Sequence, residues 1–420
     1  MEKRIKIGLW LIVAFCAMAL PVMAQNREVA AIDTSRLTYV VTGDVRDAST
    51  GRRLQYVNVR VSGKKFSTVT NADGGFTIKT NEKPQQLVVS HIGYRTQRVS
   101  LEEGSTGNVR VRLVPNTVVL EDVVVRRGDP QVILREAIRK IPANYTKDAE
   151  LYKCFYREVA QKRKHYIYIA EAVTDMYKTP YRYGVGQDRV AIVKGRRLMS
   201  PKPSDTLTVK VIGGPVQAVM LDAVKNRDFI FNEEELALYD IQMGDPVMIN
   251  DRSQYTLTLT PQYHVNYALF FGTLYIDRET LAFTRIELSL DMRDRDNATR
   301  AILVNKPAGV RFRPREMSLL INYSYDGERS HLSYVRSLFR FNCDWKKRLF
   351  ATSFTAVNEM VVTDRNDQDV KPFPRRDSFG DRESLYDQSH FFGESDFWKD
   401  YNIIKPTESL EDAVDKLKRR

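Results

Sequence analysis

Along most of the chain, hydrophobic and polar residues alternate with a period of two, which is the pattern of half-buried β-strands. Between residues 39 and 114 the alternating segments are short, and turn clusters such as DASTG (47–51) separate them. Val57, Val59 and Val61, for example, face one way, and the residues between them are polar. Because short strands with frequent turns and no helical period are typical of small β-sandwiches, we predict one here.

From residue 151 onward the alternating segments are longer and come in pairs with a turn between them. The predicted turns lie at 161–164, at 277–280 and at Asp326-Gly327, a dipeptide typical of type I′ turns. Consecutive long hairpins predict an antiparallel meander that forms a curved open sheet or half-barrel. The predicted fold class is therefore mainly β.

Two segments have the period of an amphipathic helix instead. Asp129 is a favourable N-cap and Pro130 fits a first helical turn, so we predict a helix over 130–141 that joins the two β regions. A second helix is predicted near the end of the chain, at 408–418. Its apolar residues are Leu410, Ala413, Val414 and Leu417. We expect this stripe to dock on the body of the protein rather than on a membrane.

The first residues have the features of a secretory signal peptide: basic residues, an apolar run over 7–20 and small residues before Gln25. We predict cleavage between Ala24 and Gln25. The apolar run is shorter than the ~20 residues that span a bilayer. A lipoprotein signal at Cys16 would need a small residue where Phe15 stands. No later segment of the sequence is long and apolar enough to predict a transmembrane helix.

The segment TNADGGFTI (70–78) could be a cation loop or a turn between two strands. A calcium site needs six or more oxygen ligands with several carboxylates, and this segment offers only Asp73. Asn71 and Asp73 suit early turn positions, and Gly74 or Gly75 can adopt a positive φ. We therefore predict a hairpin turn without a metal.

Four separated motifs indicate a family. They are GDVRDASTGRRLQYVNVRVSG, STVTNADGGFTI, LVVSHIGYRTQRVSL and VPNTVVLEDVVV. In this order they resemble the carboxypeptidase-regulatory-like domain of Gram-negative envelope proteins, over residues 37–125. The resemblance implies a transthyretin-like β-sandwich and a location in the periplasm or at the periplasmic face of the outer membrane. It implies no peptidase activity, because this domain is an accessory module.

A second resemblance concerns the hairpin GTLYIDRETLAFTRIEL, which is similar to the repeated hairpin of lipoprotein-carrier (LolA-like) half-barrels. That resemblance implies a sheet that wraps an apolar cavity for a lipid-like ligand. TonB-dependent transporters also carry a carboxypeptidase-regulatory-like domain. The rest of this chain is too short to supply both their plug and a barrel of about 22 strands.

The predicted organisation has five parts. They are a signal peptide (1–24), the β-sandwich (37–115), a linker with the helix (116–146), the antiparallel β domain (147–363) and a polar tail with the terminal helix (364–420). We expect the tail to lie extended over the sheet or to be partly disordered.

No residue pattern in the sequence identifies a catalytic activity. Zinc carboxypeptidases need a Glu three residues after a His, and none of the five histidines has one. The motifs HExxH and G-x-S-x-G are absent from the sequence. The aspartates of DMRDRDN (291–297) are the best remaining cation candidate, but two arginines oppose a divalent ion, so we expect a solvated loop. We expect no enzymatic activity, no cofactor and no metal.

Only Cys154 and Cys343 remain after signal cleavage. Both lie in predicted strands of the β domain, and in an oxidising compartment two cysteines can pair. Pairing needs Cα atoms within about 7 Å of each other, which the sequence does not show. We predict two reduced, buried thiols rather than a disulfide.

The leading hypothesis is a non-enzymatic envelope protein whose β domain binds a periplasmic or outer-membrane partner, in outer-membrane assembly or nutrient uptake. The alternatives are a carrier of a lipid-like or other apolar ligand and, third, a hydrolase. A net charge of +12, about +10 after cleavage, suits an anionic surface or an ordinary solvated one. We expect no nucleic-acid partner. An apolar cavity along 255–341 would favour the carrier, and a packed sheet with exposed aromatic residues would favour a protein partner.

Overall fold

The computed structural model describes nine segments of the chain: 12–14, 39–101, 108–116, 128–202, 210–303, 309–345, 351–388, 390–391 and 397–418. The predicted cleavage site between Ala24 and Gln25 lies outside the described residues, as does most of the predicted signal peptide. Strand β1 (Ile12–Ala14) pairs antiparallel with residues 210–212. None of the described helices combines the length and the hydropathy needed to cross a bilayer.

Seven strands form the first β region: β2 (Tyr39–Asp47), β3 (Asn58–Val61), β4 (Ser67–Val69), β5 (Gly75–Thr80), β6 (Gln86–Ser90), β7 (Gln97–Ser100) and β8 (Asn108–Leu113). They make two sheets, with the strand orders β5-β2-β8 and β4-β3-β6-β7. The inward residues of both sheets, Val45, Val59 and Phe76 among them, form one buried core. The predicted β-sandwich is confirmed.

The second β region contains thirteen strands. They are β9 (Glu150–Lys162), β10 (His165–Lys178), β11 (Arg189–Met199), β12 (Lys210–Ile212), β13 (Tyr239–Met243), β14 (Val247–Ile249), β15 (Arg252–Pro261), β16 (Phe270–Asp277), β17 (Phe283–Leu290), β18 (Val310–Tyr325), β19 (Ser330–Trp345), β20 (Thr352–Asn366) and β21 (His390–Phe391). All but β12 belong to one sheet of 12 strands, ordered β13-β15-β16-β17-β18-β19-β20-β9-β10-β11-β21, in which β14 also pairs with β15. The mainly β fold class is confirmed.

The sheet is antiparallel except for the short pairing of β21 with β11. Strands β15 to β20 follow chain order, as a meander does, but β9 lies beside β20 rather than at the edge. Strand β9 suits this central place because nine of its 13 residues are buried, on both faces of the sheet.

Short helices complete the structure: α1 (Pro130–Arg139), α2 (Ile141–Asn144), α3 (Val216–Met220), α4 (Glu233–Leu236), α5 (Arg295–Ile302), α6 (Leu385–Gln388) and α7 (Glu408–Lys418). Asp129 caps α1, since its carboxylate accepts from the N–H of Gln131 at 2.8 Å. The predicted linking helix therefore exists, but it ends at Arg139, and Pro142 lies at the start of α2.

Two local predictions were wrong. In DMRDRDN the carboxylate of Asp294 accepts from the N–H groups of Asp296 and Asn297, at 2.9 Å each, and starts α5 where we expected a solvated loop. Between β18 and β19 the hairpin forms, but its loop spans 326–329. Only Gly327 has a positive φ there, whereas a type I′ turn needs two such residues.

The two faces of the large sheet have different coverings. One, here called the helix face, packs against α1, α2, α3 and the segment that follows α3, with Tyr152, Cys154 and Tyr156 of β9 pointing into this core. The other, here called the sandwich face, carries Phe155 and Val173 and contacts the β-sandwich. The sheet thus separates two buried layers.

The C-terminal strap (397–407) lies between the sandwich and the sandwich face. Buried Trp398 packs edge-on against Phe155, with ring centroids 5.6 Å apart, and its indole N–H donates to Glu171 at 3.1 Å. The side chain of Asn402 forms two hydrogen bonds with the backbone of Lys79 in β5, at 2.6 and 2.8 Å. The strap joins the two β regions.

Helix α7 follows the strap and docks on the sheet. Leu410 is buried against Ile169 and Leu198, and Val414 and Leu417 pack on the same cluster. The predicted docking of this apolar stripe on the protein body is confirmed.

We predict that Trp398→Ala lowers the free energy of unfolding by about 3–5 kcal/mol, because it removes a buried ring and leaves a cavity between the two β regions. Chemical denaturation of the wild type and the variant measures this difference. The control is Lys399→Ala, which truncates the exposed neighbouring side chain and should change the free energy by less than about 0.5 kcal/mol. Equal stabilities of the two variants would show that the strap does not stabilise the protein.

Candidate functional site

The segment 70–78 contains a turn between β4 and β5, as predicted, but this turn does not close a hairpin, because β4 and β5 belong to different sheets. The side-chain oxygen of Asn71 accepts from the N–H groups of Asp73 and Gly75, at 2.9 and 2.8 Å, and Gly74 has a φ of +71°. This turn also has a second role, which the sequence did not indicate. Asn71 donates to the carbonyls of residues 405 and 406, and Asp73 accepts from the N–H of Glu408, so this turn holds the start of α7.

Metal-ligating residues are dispersed in the described part of the chain. No three His, Cys, Asp or Glu residues there lie close enough together to hold an ion. Asp291 of the DMRDRDN segment pairs with Arg293, at 2.6 Å.

Cys154 and Cys343 are both buried and free. Cys154 on β9 lies opposite Val362 of β20, and Cys343 on β19 lies opposite Thr352 on the other side of β20. Val362 lies ten positions after Thr352 on this extended strand, or roughly 33 Å away at ~3.3 Å per residue. The reduced state of the thiols stays a prediction, and this separation supports it. Burial raises the pKa of Cys343 to about 12.

A network of two lysines and two aspartates lies buried on the helix face. The Nζ of Lys178, at the end of β10, is 2.7 Å from the Asp222 carboxylate and 3.7 Å from that of Asp188. The Nζ of Lys225 is 2.6 Å from Asp188. All four side chains are fully buried, so the charges balance inside the protein.

Hydroxyl groups complete this network. Tyr181 and Tyr323 donate to the two oxygens of Asp222, at 2.9 and 2.8 Å. Lys225 also donates to the carbonyl of Thr179. Through these contacts the segment after α3 is fixed to β10 and β18.

The network shifts the pKa values of its two lysines in opposite directions. Burial opposes the charge of Lys178, but the carboxylates of Asp222 and Asp188 outweigh it and raise the pKa of this lysine. For Lys225, burial and the nearby charge of Lys178 lower the pKa to about 8, although Asp188 acts the other way. Both groups are enclosed, so the arrangement binds structural segments together rather than a substrate.

Glu158 is a second buried titratable group on the helix face, and no cation pairs with it among the described residues. Its two oxygens accept hydrogen bonds from Tyr156 at 2.8 Å and from Tyr168 at 2.5 Å. Burial raises the pKa of Glu158 to about 7, against the effect of both hydroxyl groups. Asn358 and Ser337 lie beside it on the next two strands, so a polar stripe crosses this otherwise apolar face.

Sequence reasoning missed these residues, although one signal was available. Lys178 lies on the same side of its strand as the core residues Ala172 and Met176, and Glu158 lies on the same side as Cys154. Charged residues therefore occupy positions where the alternation predicts buried apolar side chains. Their partners are distant in sequence, which the pattern cannot identify.

A cleft between the β-sandwich and the large sheet is a third polar site. The interdomain cleft has a cavity of about 40 Å³. Its polar lining includes Asn58, Ser90, His91, Arg285 and Asn322. Burial, with the charges of nearby arginines, lowers the pKa of His91 to about 4, which keeps this imidazole neutral at physiological pH.

Comparison with known proteins identifies the first β region. Residues 41–125 match the model of the CarboxypepD_reg-like domain family, which confirms the main resemblance of the sequence. No curated protein sequence matches the chain.

Similar solved structures include three bacterial proteins. One is described as an outer membrane lipoprotein-sorting protein domain from Vibrio parahaemolyticus, with 10% identity, a TM-score of 0.26 and coverage of 59% of this chain and 97% of that chain. A DUF1329 family protein from Desulfovibrio piger has 11% identity, a TM-score of 0.23 and coverage of 58% and 96%. A membrane-associated protein of unknown function from Bacteroides fragilis has 12% identity, a TM-score of 0.15 and coverage of 78% and 98%.

Because the TM-scores are far below 0.5, the three structures carry no argument about what this chain binds. The chain thus joins a CarboxypepD_reg-like domain to a large antiparallel sheet.

We predict that Asp222→Asn lowers the free energy of unfolding by about 3–5 kcal/mol, because it leaves buried lysine charges with a single carboxylate. Denaturant titration at pH 7 measures the loss. Asp148→Asn, at an exposed aspartate, is the matched control and should be nearly neutral. A loss below about 1 kcal/mol in Asp222→Asn would mean that the network is not essential to stability.

We also predict a pH dependence from Glu158. The unfolded chain releases this proton near pH 4.5 and the folded protein only near pH 7, so rising pH through this window favours unfolding. Relative to Glu158→Gln, the wild type should lose about 3 kcal/mol of unfolding free energy between pH 4.5 and 8. Unfolding curves of both proteins across this range provide the test, and parallel pH profiles would contradict it.

Proposed function

We propose that this chain is a non-enzymatic protein of the Gram-negative cell envelope whose large sheet domain binds a protein partner in the periplasm or at the outer membrane. The amino-terminal segment supports export, since it has the features of a secretory signal peptide. The CarboxypepD_reg-like match over 41–125 supports an envelope location.

One observation carries the proposal: the helix face of the sheet is occupied by the chain itself. Leu134 and Ala137 of α1, Ile141 of α2, and Ala218 and Val219 of α3 are buried in the same core as the strands. The Lys178–Asp222 ion pair then fixes the segment after α3 in place. A carrier would need this face for its ligand, so binding at the outside of the sheet domain fits the packed structure better.

An exposed aromatic group on the β15–β16 hairpin is the proposed partner surface. Tyr263, Tyr267 and Phe271 have exposed fractions of 58%, 42% and 44%, which is high for aromatic side chains close together in sequence. The hydroxyl group of Tyr267 donates to Glu235 at 2.8 Å, which holds the connection against α4. Aromatic anchors on a fixed support are typical of interface hot spots.

The absence of enzymatic activity remains a proposal. It is supported by the burial of three ionisable groups on the helix face. Glu158, Lys178 and Lys225 have shifted pKa values, and all three side chains are buried away from solvent.

Site-specific crosslinking in the native envelope tests the partner surface. A photo-reactive phenylalanine analogue at Tyr263 or Phe271 should give a crosslinked band with one defined envelope protein, identified by mass spectrometry. The same analogue at Tyr183, which is 53% exposed but lies in the loop after β10, is the matched control and should give no such band. No crosslink from Tyr263 or Phe271, or the same bands from all three positions, would contradict this surface.

The alternative function is a carrier of a lipid-like ligand, and the apolar composition of the helix face favours it. Lipid would then replace α1 and the segment after α3 on the sheet. Native mass spectrometry of protein purified from its own envelope separates the two functions. A bound lipid would support the carrier, and a bound protein would support the partner-binding function.

A further inference from the structure

The interdomain cleft is a built polar cavity that neither the proposed partner surface nor the buried networks use. Its volume of about 40 Å³ exceeds the 10–15 Å³ that one water molecule requires. Three strands meet there: Asn58 comes from β3, Ser90 from the end of β6, and Asn322 from β18. Ligand sites are frequent where two domains meet in this way.

Several polar side chains of the cleft have N–H or O–H donors that form no hydrogen bond with the described residues. Among the described residues, the side chains of Asn58, Ser90 and His91 take part in no hydrogen bond, and all three can donate one. Arg285 donates its Nε–H to Glu287 at 2.6 Å and one Nη1–H weakly to Asn322 at 3.4 Å. Because a guanidinium has five N–H groups, further donors remain on this side chain.

Arg285 is the charged side chain among the described residues that line the cleft. No aspartate or glutamate is among those described lining residues. Burial is the main cause that lowers the pKa of His91 to about 4, and the charges of Arg285 and Arg52 contribute to the same decrease. Glu287, which pairs with Arg285, is 41% exposed, so solvent screens part of its charge.

The backbone at the rim supports a site of this kind. Asn250 lines the cavity, and its φ of 53° belongs to the two-residue turn between β14 and β15. Tyr56 also lines the cavity, and it has a φ of 58°. This conformation is unusual for an aromatic residue, and such outliers occur preferentially where a side chain is held for binding. The Tyr56 ring is also stacked on Tyr334 of the sheet, with centroids 5.8 Å apart, so the rim has a fixed shape.

We propose that the interdomain cleft binds a small oxyanion, a carboxylate or phosphate group, with Arg285 as the charged partner and Asn58 and Ser90 as neutral donors. Asn58 and Ser90 supply donors that no described side chain uses, Arg285 keeps N–H groups beyond the one bonded to Glu287, and charged hydrogen bonds of a guanidinium to an anion are stronger than neutral ones. The oxyanion can belong to a soluble molecule or to the headgroup of a lipid. This site is independent of the proposed partner surface on β15–β16.

The test uses the full mature chain from Gln25, with histidine rings labelled for NMR. Inorganic phosphate, acetate and glucuronate are titrated separately, and glucose is the neutral comparison. We expect saturable shifts of the His91 ring signals with at least one anion, and Arg285→Gln should weaken the binding at least tenfold. Arg340→Gln is the matched control, because Arg340 is an exposed arginine paired with Glu316, and it should leave the affinity unchanged.

A second variant covers the case in which Arg285→Gln fails to fold. Asn58→Asp places a carboxylate in the cavity and should abolish anion binding while the melting temperature stays close to that of the wild type. Vesicles with and without phosphatidylglycerol distinguish the sources of the anion. Arg285-dependent binding to the anionic vesicles alone assigns a lipid headgroup, and binding to the free anions assigns a soluble ligand.

Three results would overturn the proposal. The His91 signals could stay unchanged with every anion and with both kinds of vesicle. Arg340→Gln could weaken binding as much as Arg285→Gln, which would indicate attraction to overall charge. Glucose could bind as tightly as the anions, which would assign the cleft to a neutral sugar.

Discussion

The arrangement of the two β regions depends on one buried arginine. Arg157 of β9 lies on the sandwich face, 4% exposed, and its guanidinium reaches Glu171 of β10 at 2.8 Å, Glu359 of β20 at 3.4 Å and the carbonyl of Ile404 in the strap at 2.7 Å. A buried guanidinium without partners would be very costly, so these contacts must form together. Burial lowers the pKa of Arg157, but the neighbouring carboxylates raise it by more. The guanidinium therefore stays charged.

On the helix face, too, buried cations are held by carboxylate partners, but there the cations are lysines. Two lysines and two aspartates are enclosed there as one balanced set, and this set joins segments that would otherwise pack only through apolar contacts. Apolar packing tolerates sliding and exchange, whereas a buried lysine accepts only a geometry that satisfies its donors. The Lys178 network thus gives the segment after α3 one position on the sheet, which an apolar contact with Leu221 alone would not do.

The parts of this fold that are local in sequence could be predicted, and the parts that depend on distant partners could not. Alternation and turn chemistry identified the sandwich, the long hairpins and the turn at Asn71, because each depends on neighbouring residues. The same information mistook the start of α5 for a loop, since Asp294 suits a turn as well as an N-cap. Nothing local indicates that Asp222 meets Lys178 and Tyr323, or that the interdomain cleft brings Asn58 and Arg285 together.

The contact of Asn402 with β5 has a consequence for the order in which the chain matures. Strand β5 is the edge of its sheet, and the amide of Asn402 pairs with the outward N–H and carbonyl of Lys79. Open strand edges recruit other strands, and proteins commonly cover them. Here the cover lies 323 residues later in the chain. During synthesis the sandwich therefore emerges with this edge open, and the edge stays open until the strap has been made.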